Sequence, residues 1–340
     1  MKPVLAKIMQ DGPGSIWSKL STATKLKVCI TGASGFLGLW TAHVMSKEFE
    51  VFAITRSDSD TSELEKNSRI SVHSEDNHNW AKVINEIEPD ILIMFDWQGV
   101  GNSLRNHEVQ HSNLKRIRDF VNALNPIRVV IGVGSQAELG PREDEILDDD
   151  VSSPTTEYGR AKCEVRNFLT RHFRDTETNF KWGRIFSTYG AFDKGDWLIP
   201  NLVRSLNVEK PFPLTEGIQE WNYLHAFDAA EAFKLLSTAG ESGIYNIGHT
   251  ANNSIKETCE EIASIMGKDP RLLEFGGIPM RSDQVLKLWV STARLQALGW
   301  RPVINLKQGL IHTVNWICNN EVMKIELTDG RNFDFEKMIL

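Results

Sequence analysis

Cysteine is scarce in this chain. Cys29, Cys163, Cys259 and Cys318 are the only four in 340 residues, and no two of them stand in a CxxC pair. That spacing excludes a disulfide-dense secreted scaffold and predicts reduced thiols in a cytoplasmic protein. The nine histidines are scattered without ligand spacing, so no metal is expected. Long apolar runs are missing too: no uncharged stretch approaches the roughly 18 residues needed to span a bilayer. Lys7 and Asp11 interrupt the apolar stretch that a signal peptide would require. There is no excess of positive charge. Lysine plus arginine total 38 against 45 acidic residues, a formal net charge of −7, which leaves no electrostatic footprint for nucleic acid or an anionic membrane surface. Internal repeats and low-complexity tracts are absent. A content of 41% hydrophobic and 24% charged residues excludes a mainly disordered chain.

Residues 1–25 carry no clear period and are broken by Asp11-Gly12-Pro13-Gly14, so they read as an extension outside the core fold. A different texture begins at Lys27. Val28-Cys29-Ile30, Val51-Phe52-Ala53-Ile54, Ile91 to Phe95 and Val129 to Val133 are short, continuously apolar strands. Helical patterns lie between them, from the glycine-rich turn through Lys47, from Trp80 to Glu88 and from Asn113 to Leu124. Apolar strands alternating with helices predict a doubly wound α/β domain whose parallel sheet is covered on both faces. The second half is less regular, with helices at Asp228 to Ala239, Ser254 to Met266 and Leu306 to Cys318. Interleaved boundaries follow: a dinucleotide-binding domain over 26–185 plus 220–248, a smaller mixed α/β lobe over 186–219 plus 249–318, and a tail over 319–340.

Gly32-x-x-Gly35-x-x-Gly38 follows the first strand directly and opens a helix, the context that a dinucleotide fingerprint requires. The first glycine permits the tight turn, the second lets the backbone approach a pyrophosphate, and the third lets helix pack closely on strand. Free N–H groups at the helix start then face phosphate oxygens. Ser34, Phe36 and Leu37 within the turn join the three glycines as cofactor residues. The second strand ends Ile54-Thr55-Arg56-Ser57, and the first acids come only at Asp58 and Asp60. An arginine there suits the 2′-phosphate of NADP, whereas NAD sites place a carboxylate on the ribose. NADP is therefore favoured over NAD, with Arg56, Ser57 and Asp76 completing the cofactor set.

Tyr158-Gly159-Arg160-Ala161-Lys162 sets a phenol and an ammonium on one face if the segment is helical. The lysine charge is expected to lower the phenol pKa, making Tyr158 a proton donor and acceptor near neutrality. Ser135 follows the strand Val129 to Val133, at the carboxyl edge where ligands bind to such sheets, and its hydroxyl can hold a substrate oxygen beside the tyrosine.

These pieces, taken in order, resemble an extended short-chain dehydrogenase/reductase of the nucleotide-sugar epimerase, dehydratase and reductase group. The resemblance rests on Thr31 to Gly38, Gly134 to Gly140, Tyr158 to Lys162, Gly183 to Gly190 and Gly243 to Gly248. Trp221 to Ala230, with Asp228-x-Ala230, and the closing Leu298-Gly299-Trp300-Arg301-Pro302 extend it, so that it covers about 26–318. It implies a catalytic Ser135, Tyr158 and Lys162, and Arg281-x-Asp283 in contact with a nucleotide diphosphate. Gln136, Trp97 and Trp197 are candidates for the substrate cleft. A homodimer is implied through the helices around Asn113 to Leu124 and Tyr158 to Leu169.

The departures narrow the chemistry. Gln136 and Ala137 stand where 4,6-dehydratases of the group carry an Asp-Glu pair, which disfavours elimination of water. Ala137 and Trp197 stand where a cysteine and a histidine would serve 3,5-epimerisation. Trp221 replaces the usual arginine before the Asp-x-Ala segment. Phe95 to Val100 with Arg105-Asn106 replaces a common His-x-Ala loop and is similar to loops of the ketoreductase branch that makes deoxysugars for surface polysaccharides. Two reactions remain: NADPH-dependent reduction of a nucleotide-linked 4-keto-(6-deoxy)hexose, which is preferred, and NAD-dependent 4-epimerisation. A non-catalytic NADP-binding regulator is disfavoured because serine, tyrosine and lysine are all present.

Overall fold

The computed structural model describes residues 25–280 and 285–319, with two further short strands at Ile325–Glu326 and Asn332–Phe333. Seven strands form one parallel sheet: β1 (Lys27–Thr31), β2 (Glu50–Thr55), β3 (Ile70–Ser74), β4 (Ile91–Met94), β5 (Val129–Ser135), β6 (Asn179–Ile185) and β7 (Gly243–Ile247). Their order is β7-β6-β5-β4-β1-β2-β3, and every adjacent pair is parallel. The sequence order reverses between β1 and β4, which opens a crevice at the carboxyl ends of those strands.

Among the described residues, eight helices of eight residues or more cover the sheet and build the lobe: α1 (Phe36–Met45), α2 (Trp80–Ile87), α3 (Val109–Asn122), α4 (Glu157–Phe173), α5 (Leu198–Asn207), α6 (Ala226–Thr238), α7 (Ile255–Ile265) and α8 (Leu306–Asn319). The strands are apolar on both faces because each face meets helices. Val28, Ile30, Ile91 and Ile93 pack with Trp40 of α1 and Phe233 of α6. Their neighbours Cys29, Leu92 and Met94 point the other way, onto Ile84, Ile117 and Val165 of α2, α3 and α4. A third apolar cluster joins Leu202, Ile262 and Leu310, drawing α5, α7 and α8 into the smaller lobe. Three two-stranded ladders accompany those helices, the last of them antiparallel: Ser187–Tyr189 with Tyr223–His225, Phe212–Leu214 with Leu273–Phe275, and Glu220–Trp221 with Asn253–Ser254.

Two strands of the sheet lack the continuous apolar signature. β3 is an edge strand that alternates Ile70-Ser71-Val72-His73-Ser74. β6 carries Lys181 and Arg184, which are fully buried yet partnered: Lys181 Nζ donates to the Leu236 carbonyl at 2.6 Å, and Arg184 Nη1 donates to Asn246 Oδ1 at 3.1 Å. α3 begins four residues before the apolar pattern does, because its first turns present Gln110 and Asn113 to a loop rather than to the core. The four cysteines are free. No helix among the described residues is long and apolar enough to cross a membrane, and no group of three or more of their His, Cys, Asp or Glu side chains is placed to hold a metal.

Candidate active site

A cleft of about 1070 Å³ runs from the crevice at β1 and β4 into the smaller lobe. One wall is the turn between β1 and α1. Gly32 has φ +67°, and a Cβ there would lie 2.8 Å from the backbone nitrogen of Asp96; a Cβ on Gly38 would strike the Gly32 carbonyl oxygen. Glycine is therefore enforced at both positions. α1 starts with no side chain capping it from Gly35, which leaves its first N–H groups turned to the cleft. Gly32, Ser34, Gly35, Phe36, Leu37 and Gly38 all line this wall, a cradle that fits a pyrophosphate.

Arg56, Ser57 and Asp76 stand together at the carboxyl ends of β2 and β3, off the cleft wall. Arg56 Nε pairs with Asp58 at 3.4 Å, and Ser57 Oγ donates to Asp76 Oδ1 at 2.7 Å. The cleft near the turn is lined instead by Asp60 and Glu63, and Lys194 from the smaller lobe reaches Asp60 at 3.4 Å.

Opposite the glycine turn, β5 delivers Ser135 and α4 delivers Tyr158 and Lys162. Thr156 caps α4 by accepting from the Gly159 N–H at 3.1 Å. A Cβ on Gly159 would strike the Ala137 carbonyl oxygen, so glycine here lets the helix seat closely on the loop that follows Ser135. Tyr158 and Lys162 share one face of the helix, as their spacing predicts, and both are buried. Lys162 Nζ donates to the Val133 carbonyl at 2.8 Å.

The electrostatics of the pair differ from the expectation. Burial pushes the Tyr158 phenol above its ordinary value, outweighing its contact with the Ser135 hydroxyl and the nearby Arg105 charge, both of which pull it down. Burial also pushes the Lys162 ammonium down to about 7, although the Glu138 and Asp96 carboxylates favour its charge. Desolvation penalises whichever form is charged, so it moves the phenol and the ammonium in opposite directions.

Gln136, Trp97 and Trp197 line the same cleft. Arg281 and Asp283 lie outside the described residues; Ile278 and Val285, on either side of them, face the cleft. Two further lining residues are not among the site residues that the sequence predicts. The Arg105 guanidinium lies 6.0 Å from the Tyr158 ring centroid and 5.9 Å from that of Trp197. Asp193 is buried, its carboxyl pushed up to about 6 by desolvation, and it follows Phe192 at φ +68°. Asp193 belongs to no short motif and Arg105 enters only through its loop's resemblance, and both reach the cleft from irregular loops whose paths local periodicity does not reveal.

Comparison with known proteins agrees with this geometry. The family model described as "NAD dependent epimerase/dehydratase family" matches residues 28–248. A trifunctional UDP-glucose 4,6-dehydratase/UDP-4-keto-6-deoxy-D-glucose 3,5-epimerase/UDP-4-keto-L-rhamnose-reductase of Arabidopsis thaliana is 25% identical over 318 residues; the match covers 86% of this chain and only 47% of that protein, so the chain spans about half its length. CDP-abequose synthase of Salmonella typhimurium is 23% identical over 304 residues, covering 85% of this chain and 97% of that one. Among solved structures, the Thermus thermophilus UDP-glucose 4-epimerase in complex with NAD superposes with a TM-score of 0.73 at 18% identity, covering 86% of this chain and 99% of that one.

Proposed function

The chain belongs to the NAD dependent epimerase/dehydratase family of enzymes, and from that premise we propose that it catalyses NADPH-dependent reduction of the 4-keto group of a nucleotide-linked (6-deoxy)hexose. The observation that carries the reading is the meeting of Ser135, Tyr158 and Lys162 with the glycine turn in one cleft. Gly32, Ser34, Gly35, Phe36, Leu37 and Gly38 would hold the dinucleotide phosphates, with Lys162 toward the nicotinamide half. When bound, the nicotinamide supplies a hydride to C4.

The chain's own residues do the rest. Ser135 donates a hydrogen bond to the keto oxygen and orients it. Tyr158 delivers the proton that this oxygen takes up as it becomes a hydroxyl. Its phenol is held above the ordinary value and so stays protonated through neutral pH, the form that reduction consumes. Trp197 and Gln136 shape the sugar end of the cleft, and Arg281 with Asp283 would meet the diphosphate. Gln136 and Ala137, lacking carboxylates, supply no group for eliminating water. We also propose that two copies pair through the outer faces of α3 and α4, which pack side by side with Arg118 over the Phe168 ring at 5.6 Å.

A second reading, NAD-dependent 4-epimerisation, is favoured by one observation: Asp60 and Glu63 line the cleft near the glycine turn, whereas Arg56 stands off it beside Asp58. Denaturing the purified protein, identifying any released nucleotide, and titrating NADPH and NADH separates the two. Clear NADPH preference with little retained NAD, lost in Arg56→Ala, supports the reductase. Stoichiometric retained NAD overturns it in favour of the epimerase.

A further inference from the structure

The loop after β4 is fastened to α3 at three successive points on one face of that helix. Arg116 Nη1 pairs with the Asp96 carboxylate, whose other oxygen accepts from Thr31 Oγ1 at 2.5 Å. Asn113 holds the Gln98 backbone in both directions, accepting from its N–H at 3.1 Å and donating to its carbonyl at 2.7 Å. Gln110, fully buried, accepts from Trp97 Nε1 at 2.9 Å and donates to the carbonyls of Gly99 and Leu104 at 2.8 and 2.9 Å. These anchors fix the indole of Trp97, and they fix it against α4. Lys162 Nζ sits 3.7 Å from the centroid of the Trp97 ring, and the Tyr158 ring meets the same indole edge-on at 5.9 Å and 86°.

We propose that Trp97 is a positioning residue for Lys162: its indole face holds the ammonium charged and in place against the Val133 carbonyl, beside the Tyr158 phenol. A cation centred on an indole face is attracted by the ring quadrupole, and the attraction grows where water is excluded. The need is physical. Lys162 is 5% exposed, and burial alone drives its ammonium toward the neutral form. Of the charged groups around it, Asp96 on the β4 loop and Glu138 after β5 favour the charge, while Arg116 on α3 opposes it. Tyr158, one turn earlier on α4, keeps its proton and contributes a neutral ring. The indole adds a stabilising contact that brings no further charge to the cleft. The role assigned to Lys162 rests on the proposed reaction; the contact between Trp97 and Lys162 does not.

The test reads Lys162 directly, without cofactor or substrate. The lysine Nζ resonances of the full-length chain are followed by ¹³Cε-detected ¹⁵N NMR across the pH range, with the Lys162 signal assigned by its loss in Lys162→Met. Trp97→Leu removes the face and is expected to lower the Lys162 midpoint by about one pH unit. Trp97→Phe keeps a smaller face and is expected to retain more than half of the effect. If Trp97→Leu does not fold, Trp97→Phe and Gln110→Leu, which frees the indole N–H, carry the comparison. A midpoint unmoved in folded Trp97→Leu overturns the proposal, and so do equal shifts in the Leu and Phe variants. Failure of the protein to bind NADPH or NADH would sink the proposed reaction and leave this titration standing.

Discussion

The buried Glu138 carboxylate holds the backbone of Ser135: Oε1 accepts from the Ser135 N–H at 2.9 Å and from Trp182 Nε1 at 2.9 Å. Its other oxygen takes Arg166 Nη1 at 2.7 Å, with Arg184 Nε at 3.9 Å. In return, Ser135 Oγ accepts from the Ala137 N–H at 3.2 Å, which closes the turn. The hydroxyl facing Tyr158 is therefore aimed by a charge network beneath the cleft rather than by the cleft itself.

Replacing Glu138 with Leu strands the Arg166 and Arg184 charges and leaves the Trp182 and Ser135 N–H groups without acceptors. We expect a loss of about 3–5 kcal/mol, as for removing one partner of a buried ion pair. Glu138→Gln keeps a carbonyl for both N–H groups and should lose less, about 1–2 kcal/mol. Urea midpoints at unchanged slope measure both. Equal losses in the two variants would mean that the carboxylate's charge and its acceptor geometry are not separable as argued.

Gly38→Ala tests the cradle. The added methyl would meet the Gly32 carbonyl oxygen and come within 2.9 Å of Ala33 Cα, all backbone that cannot step aside. The turn must open, moving the N–H groups of α1 away from the phosphates. We expect NADPH affinity to fall about tenfold or more, which corresponds to roughly 1.4 kcal/mol or more of lost contact, with the far-UV circular dichroism retained. Titration by quenching of tryptophan fluorescence reads it directly.

Much of this was legible in the sequence where one residue pattern answers to one local constraint. β1, β4 and β5 announce themselves because strands covered on both faces need apolar side chains at every position. Gly32, Gly35 and Gly38, and the pair Tyr158 and Lys162, are legible because a turn and a helical face are short-range geometry. β6 is not among the apolar strands, since Lys181 and Arg184 interrupt its run, and they are buried only because Leu236, Asn246 and Glu138 come from distant parts of the chain to partner them. The expected lowering of the Tyr158 phenol failed for a related reason. Spacing reveals the neighbouring charge, while desolvation depends on everything that covers the pair.

Tyr158→Phe removes only the proton donor. The ring keeps its edge contact with Trp97, so fold and cofactor affinity should persist. Turnover of a 4-keto-6-deoxy sugar nucleotide, followed by NADPH consumption, should drop about 10²–10⁴-fold, the range for losing a positioned general acid. An unchanged rate would show that another group supplies the proton and would overturn the role given to Tyr158.

The two lobes meet over a pair of buried histidines, and their neutrality sets an acid limit on stability. His225 Nε2 lies 3.3 Å from His312 Nδ1, and His225 Nδ1 accepts from the Phe227 N–H at the start of α6. His312 belongs to α8 in the smaller lobe. Burial pushes His312 down to about 4, and His225 well below its ordinary value, with the neighbouring His312 adding to that shift. In the unfolded chain both titrate near 6.5. Above that pH neither state binds the proton and the full stability is present. As the pH falls from about 6.5 to 4, the unfolded chain takes up protons that the folded chain refuses, and stability declines. For His312 alone the loss approaches about 3 kcal/mol at the bottom of that window, at 1.36 kcal/mol per unit. Asp193 and Asp228, raised by burial to about 6 and about 7, act in the opposite sense, gaining stability as the pH falls below those values. The histidine contribution is therefore read as a difference. The stability advantage of wild type over His312→Gln should shrink by about 3 kcal/mol between pH 7 and 4, because glutamine does not titrate. A difference that stays constant across that window would show that the seam between the lobes takes up the proton without cost, through a rearrangement that gives His312 access to water.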